Sequence, residues 1–365
     1  MPITIDGTGT ITGATTLAST VASPTFTTPA LGTPASGILT SCTGVPFDGF
    51  KNRIINGAMV IDQRNAGASV TPANDAYMTD RWKYGSSQAS KFTAQQVSTA
   101  PTGFINSLKM TVASAVTIGA GDYFTVYQPI EGLNVSDLAW GTASAATVNL
   151  SFWVYSSLTG TFGGSLRNST GARSYPFTYT ILAASTWEQK TVTITGDTTG
   201  TWLTTNGIGI YVGFGLGIGA TYSGTAGAWA AANNLSATGA VSVVGTASAV
   251  WYVTGVQLEK GSTASSFDYR SIGTELALCQ RYYFQKATGD TIYFIPCPYN
   301  LTGGNQWLSY FLPEVMRAVP TVTSGSWVGG APSATYPGYR SIAFNFGAST
   351  NYMGDATTLT VSAEL

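Results

Sequence analysis

Aromatic and amide side chains gather between residues 300 and 352 of this 365-residue chain. The aromatic members are Trp307, Tyr310, Trp327, Tyr336, Tyr339 and Tyr352, and the amides near them include Asn305 and Gln306. Flat rings stack on the C–H faces of a sugar, and amides exchange hydrogen bonds with its hydroxyls. Two loop-like stretches, 300–307 and 329–340, carry several of these residues, and recognition residues are often found on loops. This group is therefore a candidate glycan-binding site; the alternative for each aromatic residue is a place in a protein core.

The sequence contains few residues that could act in catalysis. The chain has no histidine, which excludes Ser-His-Asp and Cys-His catalysis, histidine metal sites and histidine pH switches. Charged residues make up 9% of the chain, against roughly 25% in an average soluble protein, so few groups are available for an active site. The three cysteines show no CxxC spacing, which indicates free thiols in a reducing compartment. We expect a protein that is not an enzyme and has no cofactor.

Other functional classes are also disfavoured. Two carboxylates at a suitable separation are enough for glycoside hydrolysis, but no such pair stands out and no solenoid repeat is visible. The glycine-rich stretch 213–220 alternates like a strand and lacks the Lys-Ser/Thr of a phosphate loop. The net charge of -1, without clustered Lys or Arg, gives no reason to expect nucleic-acid binding. We expect no signal peptide and no membrane insertion, because no stretch approaches ~20 apolar residues.

Strands are the elements that must position these groups. From residue 51 to about residue 271, apolar residues recur at every second position, as in Leu150, Phe152 and Val154. Glycine-rich turns separate such runs, and many short strands of this kind indicate a β-sandwich. The sequence therefore predicts an all-β fold, with a sandwich over 51–272 and a smaller β domain over 273–365. Between them, 274–285 is predicted to form a short helix, with Thr274 as a candidate N-cap, or an ordered connector.

The strand at 148–156 carries a second pair of candidates. Trp153 and Tyr155 alternate with the apolar residues that face the core, so they lie on the opposite face of the strand. That face is a candidate sugar platform. The alternative is that it packs against a neighbouring protomer.

The first fifty residues differ from the rest of the chain. They contain two charged residues, Asp6 and Asp48, and are otherwise rich in Thr, Gly, Ala, Ser and Pro. This segment has too few large apolar residues to bury a core of its own, and Thr and Val favour extended chain. We expect 1–50 to be an extended stem that packs against other chains.

Six motifs, taken in order, resemble those of tail fibre proteins of tailed bacteriophages. They are ALGTPASGILTSCTGVP at 30–46, NRIINGAM at 52–59, DRW at 80–82, VTGVQLEKGSTASSFDYR at 253–270, ELALCQRYY at 275–283 and PEVMRAVPTVT at 313–323. The second to fourth are similar to the opening and closing strands of jelly rolls like those of carbohydrate-binding modules. The resemblance implies a galactose-binding-like jelly roll over 51–272, a distal β tip, and an intertwined homotrimer.

The resemblance also implies a structural calcium in some members. Asp62, Asp80, Glu259 and Asp268 lie near the matching strands, and calcium prefers six to eight oxygen ligands. Their spacing makes no EF-hand loop, so solvation or pairing with Arg53, Arg81 or Arg270 is the alternative.

Together these features predict a structural virion protein, assembled in the bacterial cytoplasm and located in the phage tail. Residues 1–50 would anchor it to the tail or baseplate, and 273–365 would bind a host-surface glycan or protein. A head fibre or capsid-decoration protein is the main alternative, and a soluble carbohydrate-binding module or a polysaccharide depolymerase are further ones.

Overall fold

The computed structural model describes residues 51–286, 306–327, 331–346 and 358–365. These residues belong to one compact unit, Asp48–Leu365. Strands account for 41% and helix for 8%, which confirms the predicted all-β fold. The predicted stem 1–50 lies outside the described residues. The stem, the domain boundaries and the trimer stay predictions.

The first part of the described chain forms a β-sandwich. Its strands are β1 (Tyr77–Thr79), β2 (Trp82–Ser86), β3 (Phe92–Val97), β4 (Ser107–Val112), β5 (Tyr123–Glu131), β6 (Val148–Ser156), β7 (Gly160–Arg167), β8 (Ser174–Ile181), β9 (Glu188–Ile194), β10 (Ile208–Ile218), β11 (Ser223–Gly224), β12 (Ser236–Ala237) and β13 (Val250–Lys260). In the described residues, one sheet of the sandwich has the order β1-β2-β5-β10-β7-β8 and the other β3-β4-β13-β6-β9, with antiparallel neighbours in both. The short strands β11 and β12 belong to neither sheet and form a separate parallel pair. Neighbouring strands are therefore often far apart in sequence.

Aromatic residues fill the space between the two sheets. Because side chains alternate along a strand, the predicted apolar positions Leu150, Phe152 and Val154 all face this core and are fully buried. Phe214 of β10 lies at its centre, with its ring centroid 4.9 Å from Phe152 and 5.5 Å from Trp251. The positions between the core residues are left to form the outer faces of the sandwich.

A helix, α1 (Ile272–Gln280), follows the sandwich. Its N-cap is Ser271, whose side-chain oxygen accepts a hydrogen bond from the backbone N–H of Thr274 at 3.3 Å. The prediction of Thr274 as the N-cap was therefore wrong by three residues. Both residues carry a hydroxyl, and the earlier one takes the role because the helix begins at Ile272.

The remaining strands form two small sheets after this helix. They are β14 (Tyr283–Gln285), β15 (Gln306–Phe311), β16 (Thr321–Ser324), β17 (Ala334–Pro337), β18 (Ser341–Phe346) and β19 (Leu359–Ser362). In the described residues they pair in the orders β14-β19-β16 and β15-β18-β17. They share an apolar core that includes Phe284, Ile342, Phe344 and Val361.

Charged and aromatic side chains join this C-terminal part to the sandwich. The Glu364 carboxylate accepts from Arg64 at 2.6 Å and also from Arg81, which is almost fully buried. The Arg81 guanidinium lies 3.6 Å from the ring centroid of Tyr282, whose hydroxyl donates to Glu131 at 2.6 Å. Breaking one partner of such a buried pair leaves an uncompensated charge, so the join is specific.

Candidate functional site

An open cavity of about 330 Å³ lies on the outer face of the six-stranded sheet. We call it the tyrosine groove and define it by Tyr123, Tyr127, Tyr211, Tyr222, Asp75 and Arg167, which line it. Its volume is at the lower end of the range of small-molecule sites, roughly 300–1,000 Å³.

Small residues make the floor of the groove. Gly85 of β2 pairs in register with Thr125 of β5, and both line the cavity. A Cβ atom at Gly85 would lie 3.0 Å from the Thr125 Cγ2 atom and 3.2 Å from the Tyr127 ring. A larger residue at this position would therefore crowd the wall of the groove.

The tyrosines form two ring pairs. Tyr127 of β5 and Tyr211 of β10 meet edge to face, with ring centroids 5.8 Å apart. Tyr123 and Tyr222 pair in the same way at 5.4 Å. Each ring is held by its neighbour, so the aromatic surfaces are pre-organised for a ligand, at a low entropic cost of binding.

A loop after β10 supplies the far wall. Tyr222 lies in a short 3-10 helix, and the backbone N–H of Leu235 donates to the Tyr222 carbonyl at 2.7 Å. The hydroxyl of Ser174 in β8 donates to the carbonyl of Ala232 at 2.6 Å, which ties the loop to the sheet. These bonds place Asn233 at the edge of the groove.

Two charged side chains lie in the groove in different surroundings. The Asp75 carboxylate accepts a hydrogen bond from the Tyr127 hydroxyl and has Lys83 Nζ 3.6 Å away. Burial, and next the bond to Asp75, raises the pKa of Tyr127 well above its usual range, so it stays a neutral donor. Arg167 donates from Nη1 to Asn233 Oδ1 at 2.7 Å, and its guanidinium lies 5.0 Å from the Tyr211 ring centroid.

Gly171 holds the arginine's partner in place. Its φ is +70°, in the left-handed region, and a Cβ atom there would lie 2.8 Å from Asn233 Oδ1. A side chain at residue 171 would therefore both strain the backbone and displace the amide that orients Arg167.

The sequence-predicted aromatic residues fall into separate places. Trp307, Tyr336 and Tyr339 are exposed, and the rings of Trp307 and Tyr336 lie 5.3 Å apart on the sheet β15-β18-β17. We call Trp307, Tyr336 and the exposed Phe311 of the same sheet the aromatic face. It is flatter and more exposed than the groove.

The other C-terminal candidates are buried further or not described. Tyr310 and Trp327 are half-buried against the C-terminal core, with Trp327 5.0 Å from Phe344 and Tyr310 5.9 Å from Phe284. Tyr352 and Asn305 lie outside the described residues, as does the side chain of Gln306. The role of all these residues in recognition stays a prediction.

The remaining sequence candidates do not meet at the groove. Trp153 and Tyr155 are half-buried on the outer face of the other sheet, where Tyr155 packs 4.9 Å from Tyr252. Both the sugar-platform and the protomer-contact interpretations of that face stay predictions.

The four weak calcium candidates accept hydrogen bonds from protein groups. Asp62 accepts from backbone N–H groups at Asn65 and Gly67, and Asp80 accepts from Gln63. Glu259 accepts from Ser265 and Gln257, and Asp268 accepts from the backbone of Asn52. In the part of the chain that the structure describes, no group of three or more Cys, Asp or Glu could hold a metal ion.

Sequence reasoning missed the groove, although a signal was present. The outward-facing residues of β10 include Gly209, Tyr211 and Gly213, so the tyrosine side chain projects between two glycines. On β5, Tyr123 and Tyr127 are four residues apart and share the same outward face. Large aromatic residues at outward positions beside glycine are the pattern that could have indicated the site.

Comparisons with known proteins return remote likenesses. No family model matches the chain, and no curated protein matches it. Among solved structures, it is similar to the enzymatically active domain of tailspike protein 4 of bacteriophage CBA120, with 12% identity, a TM-score of 0.33, and 59% of this chain and 22% of that chain covered. The match thus spans about a fifth of that tailspike structure.

Two carbohydrate-binding modules are also similar. TmCBM61, solved with β-1,4-galactotriose, shows 10% identity and a TM-score of 0.30 over 57% of this chain and 99% of that chain. A family 11 module from Clostridium thermocellum, solved with a mixed-linked tetrasaccharide, shows 12% identity and a TM-score of 0.28 over 55% and 97%. At these TM-scores the likenesses carry no argument about function, which must come from the chain's own residues.

A search of the described residues for a helix long and apolar enough to cross a membrane found none.

Proposed function

We propose that this chain binds glycans through the tyrosine groove. The observation that carries the proposal is a cavity on a sheet surface in which four tyrosine rings surround one carboxylate and one guanidinium. A sugar ring offers C–H faces that stack on aromatic rings and hydroxyls that need both donors and acceptors. The groove supplies both kinds of contact, and its tyrosines are fixed in position before a ligand arrives.

Binding without cleavage is part of this proposal. Hydrolysis of a glycosidic bond generally takes two carboxyl groups on either side of that bond. Among the described residues that line the groove, Asp75 supplies the one carboxylate. This carboxylate already contacts Tyr127 and Lys83. Its role in this proposal is to accept a hydrogen bond from a ligand hydroxyl and not to act in catalysis.

The wider role that we propose is attachment of a phage to its host as a homotrimeric tail fibre, anchored through 1–50. The six motifs, in their order along the sequence from 30–46 to 313–323, support this role, as does a groove suited to surface glycans. Three grooves on one rigid particle give avidity, so each site needs only modest affinity. The aromatic face is a second candidate contact for the host, because Trp307 and Tyr336 are both about half exposed and lie side by side.

Binding of the full-length chain to a panel of bacterial surface glycans tests the proposal. We expect binding that Tyr211→Ala weakens strongly and that Tyr269→Ala, a change at an exposed tyrosine outside the groove, leaves unchanged. Equal binding by the wild type and Tyr211→Ala would refute the groove as the site. The fibre role is tested separately, by light scattering for three chains per particle and by competition of the protein with phage adsorption.

A further inference from the structure

Among the described residues, Arg167 has no carboxylate within salt-bridge distance, unlike most arginines of this protein. The chain has nine arginines, all of them among the described residues. Six of these nine lie within 4.0 Å of a carboxylate: Arg53, Arg64, Arg81, Arg173, Arg270 and Arg281. Arg167 instead contacts the amide of Asn233 and the ring of Tyr211, both of which are neutral.

The surroundings of Arg167 leave its charge without compensation. Burial lowers the pKa of Arg167, and the groups that partly offset this effect are Tyr211 and Tyr127, not a carboxylate. Asp75 is matched by Lys83 at 3.6 Å and by the Tyr127 hydroxyl. Arg167 is therefore the cation of the groove that has no carboxylate within 4.0 Å among the described residues, whereas the groove's carboxylate, Asp75, already has a cation beside it.

Removing water from a cation costs free energy unless the ligand supplies a group of opposite charge to pair with it. A guanidinium carries five N–H donors in a planar fork, and Asn233 occupies one of its nitrogens, Nη1. The donors that remain match the two oxygens of a carboxylate, which is the strongest kind of hydrogen-bonded pair.

We propose that the tyrosine groove selects acidic glycans, with a sugar carboxylate pairing with Arg167 while the tyrosines hold the rings. This inference rests on the proposed function, because it names the class of glycan that the groove takes. A neutral glycan would cover the half-buried Arg167 and leave its charge without an anionic partner, so the preference comes from avoiding that cost as well as from the new bond.

The test compares matched ligands on the full-length protein by titration calorimetry. The ligands are oligosaccharides of galacturonic, glucuronic and N-acetylneuraminic acid, each beside its carboxyl-reduced counterpart, together with a sulfated neutral oligosaccharide and a panel of neutral surface glycans. We expect at least one acidic ligand to bind tenfold or more tightly than its reduced form. Arg167→Gln should remove that difference, and Arg167→Lys should retain part of it. Circular dichroism spectra and melting temperatures equal to those of the wild type show that both variants are folded.

Each outcome decides between the two proposals. Equal binding of acidic and reduced forms, or binding of neutral glycans alone, overturns the acidic preference and leaves the groove as a glycan site. Preference for the sulfated ligand over every carboxylate overturns the assignment of the charged group. Binding to no glycan in the whole set overturns the proposed function as well.

Discussion

The tyrosine groove and the aromatic face use the same residue types in opposite ways. In the groove, tyrosine rings are paired edge to face, one hydroxyl is bonded to a carboxylate, and a guanidinium lies against a ring. On the aromatic face, Trp307 and Tyr336 lie on an open three-stranded sheet beside Phe311, which is 76% exposed. The first is a concave cavity lined by polar groups, and the second is an exposed and mostly apolar face.

This difference indicates which surface can discriminate among small ligands. Ligand sites are concave, and a few polar groups fixed in them give specificity. An open apolar face can bury area against a protein, but it offers a sugar few fixed hydrogen bonds. This is why we propose the groove, and not the aromatic face, as the glycan site.

The largest expected effect is that of Tyr211→Ala on glycan binding. Loss of this ring removes one wall of the groove and the surface against which Arg167 rests, so we expect binding to weaken about 30-fold, or ~2 kcal/mol. The measurement is a titration of the full-length variant with the best ligand of the panel. A similar loss in Trp307→Ala, with Tyr211→Ala unaffected, would transfer the site to the aromatic face.

A second prediction concerns pH and the join that carries the aromatic face. Burial raises the pKa of Asp80 to about 6 from its ordinary 3.8. Its carboxylate accepts from Gln63, whose side chain also donates to the carbonyl of Tyr283 in β14. Because the folded state binds this proton more tightly than the unfolded state, stability should fall as pH rises from about 4 to 6 and then stay level. The size of this fall is set by the difference between the pKa values of Asp80 in the folded and unfolded states.

Thermal melts of the full-length chain across pH 4 to 7 measure this effect. Asp80→Asn should flatten the slope in that window, because its side chain cannot titrate. An unchanged slope in this variant would show that other carboxylates cause the dependence. Glycan binding by the groove should not depend on the protonation of Asp80, because Asp80 lies outside the groove.

A third prediction isolates the position of Arg167. Gly171→Ala should weaken glycan binding about fivefold, or ~1 kcal/mol, because the new methyl group displaces Asn233. Gly239→Ala is the matched control, since its φ of +79° imposes similar backbone strain and a Cβ atom there meets nothing within 4 Å. If both variants lose the same affinity, strain and not the Asn233 contact is responsible.

The smallest expected effect is that of Trp307→Ala. The side chain is more than half exposed, so we expect its removal to change stability by about 0.5 kcal/mol or less and glycan binding by less than twofold. Side-by-side melts and titrations with the wild type measure both quantities. A tenfold loss of binding would mean that the two surfaces act together.

Local sequence patterns predicted the strands well because the apolar residues that face the core recur at every second position within a strand. The alternation at 150, 152 and 154 and the β10 residues Ile210, Val212 and Phe214 all point into the core. The helix was placed approximately, but its cap was assigned to Thr274 because two hydroxyl residues compete within one turn.

Local patterns could have shown the outward-facing tyrosines but not the groove that they form with Asp75 and Arg167, because these residues are distant in sequence. Asp75, Tyr127, Arg167 and Tyr211 come from separate strands and loops, and the sheet order β2-β5-β10-β7 brings them together. Composition draws attention to the C-terminal aromatics because they are close in sequence. The groove forms because the fold brings distant residues together, and not because aromatic residues are close together in the sequence.

A crystal structure of the full-length protein with its tightest-binding oligosaccharide from the glycan panel tests the central claim most directly. The account predicts sugar rings against Tyr127 and Tyr211, with an acidic group on Arg167. An oligosaccharide bound on Trp307 and Tyr336, with the groove empty, would contradict it.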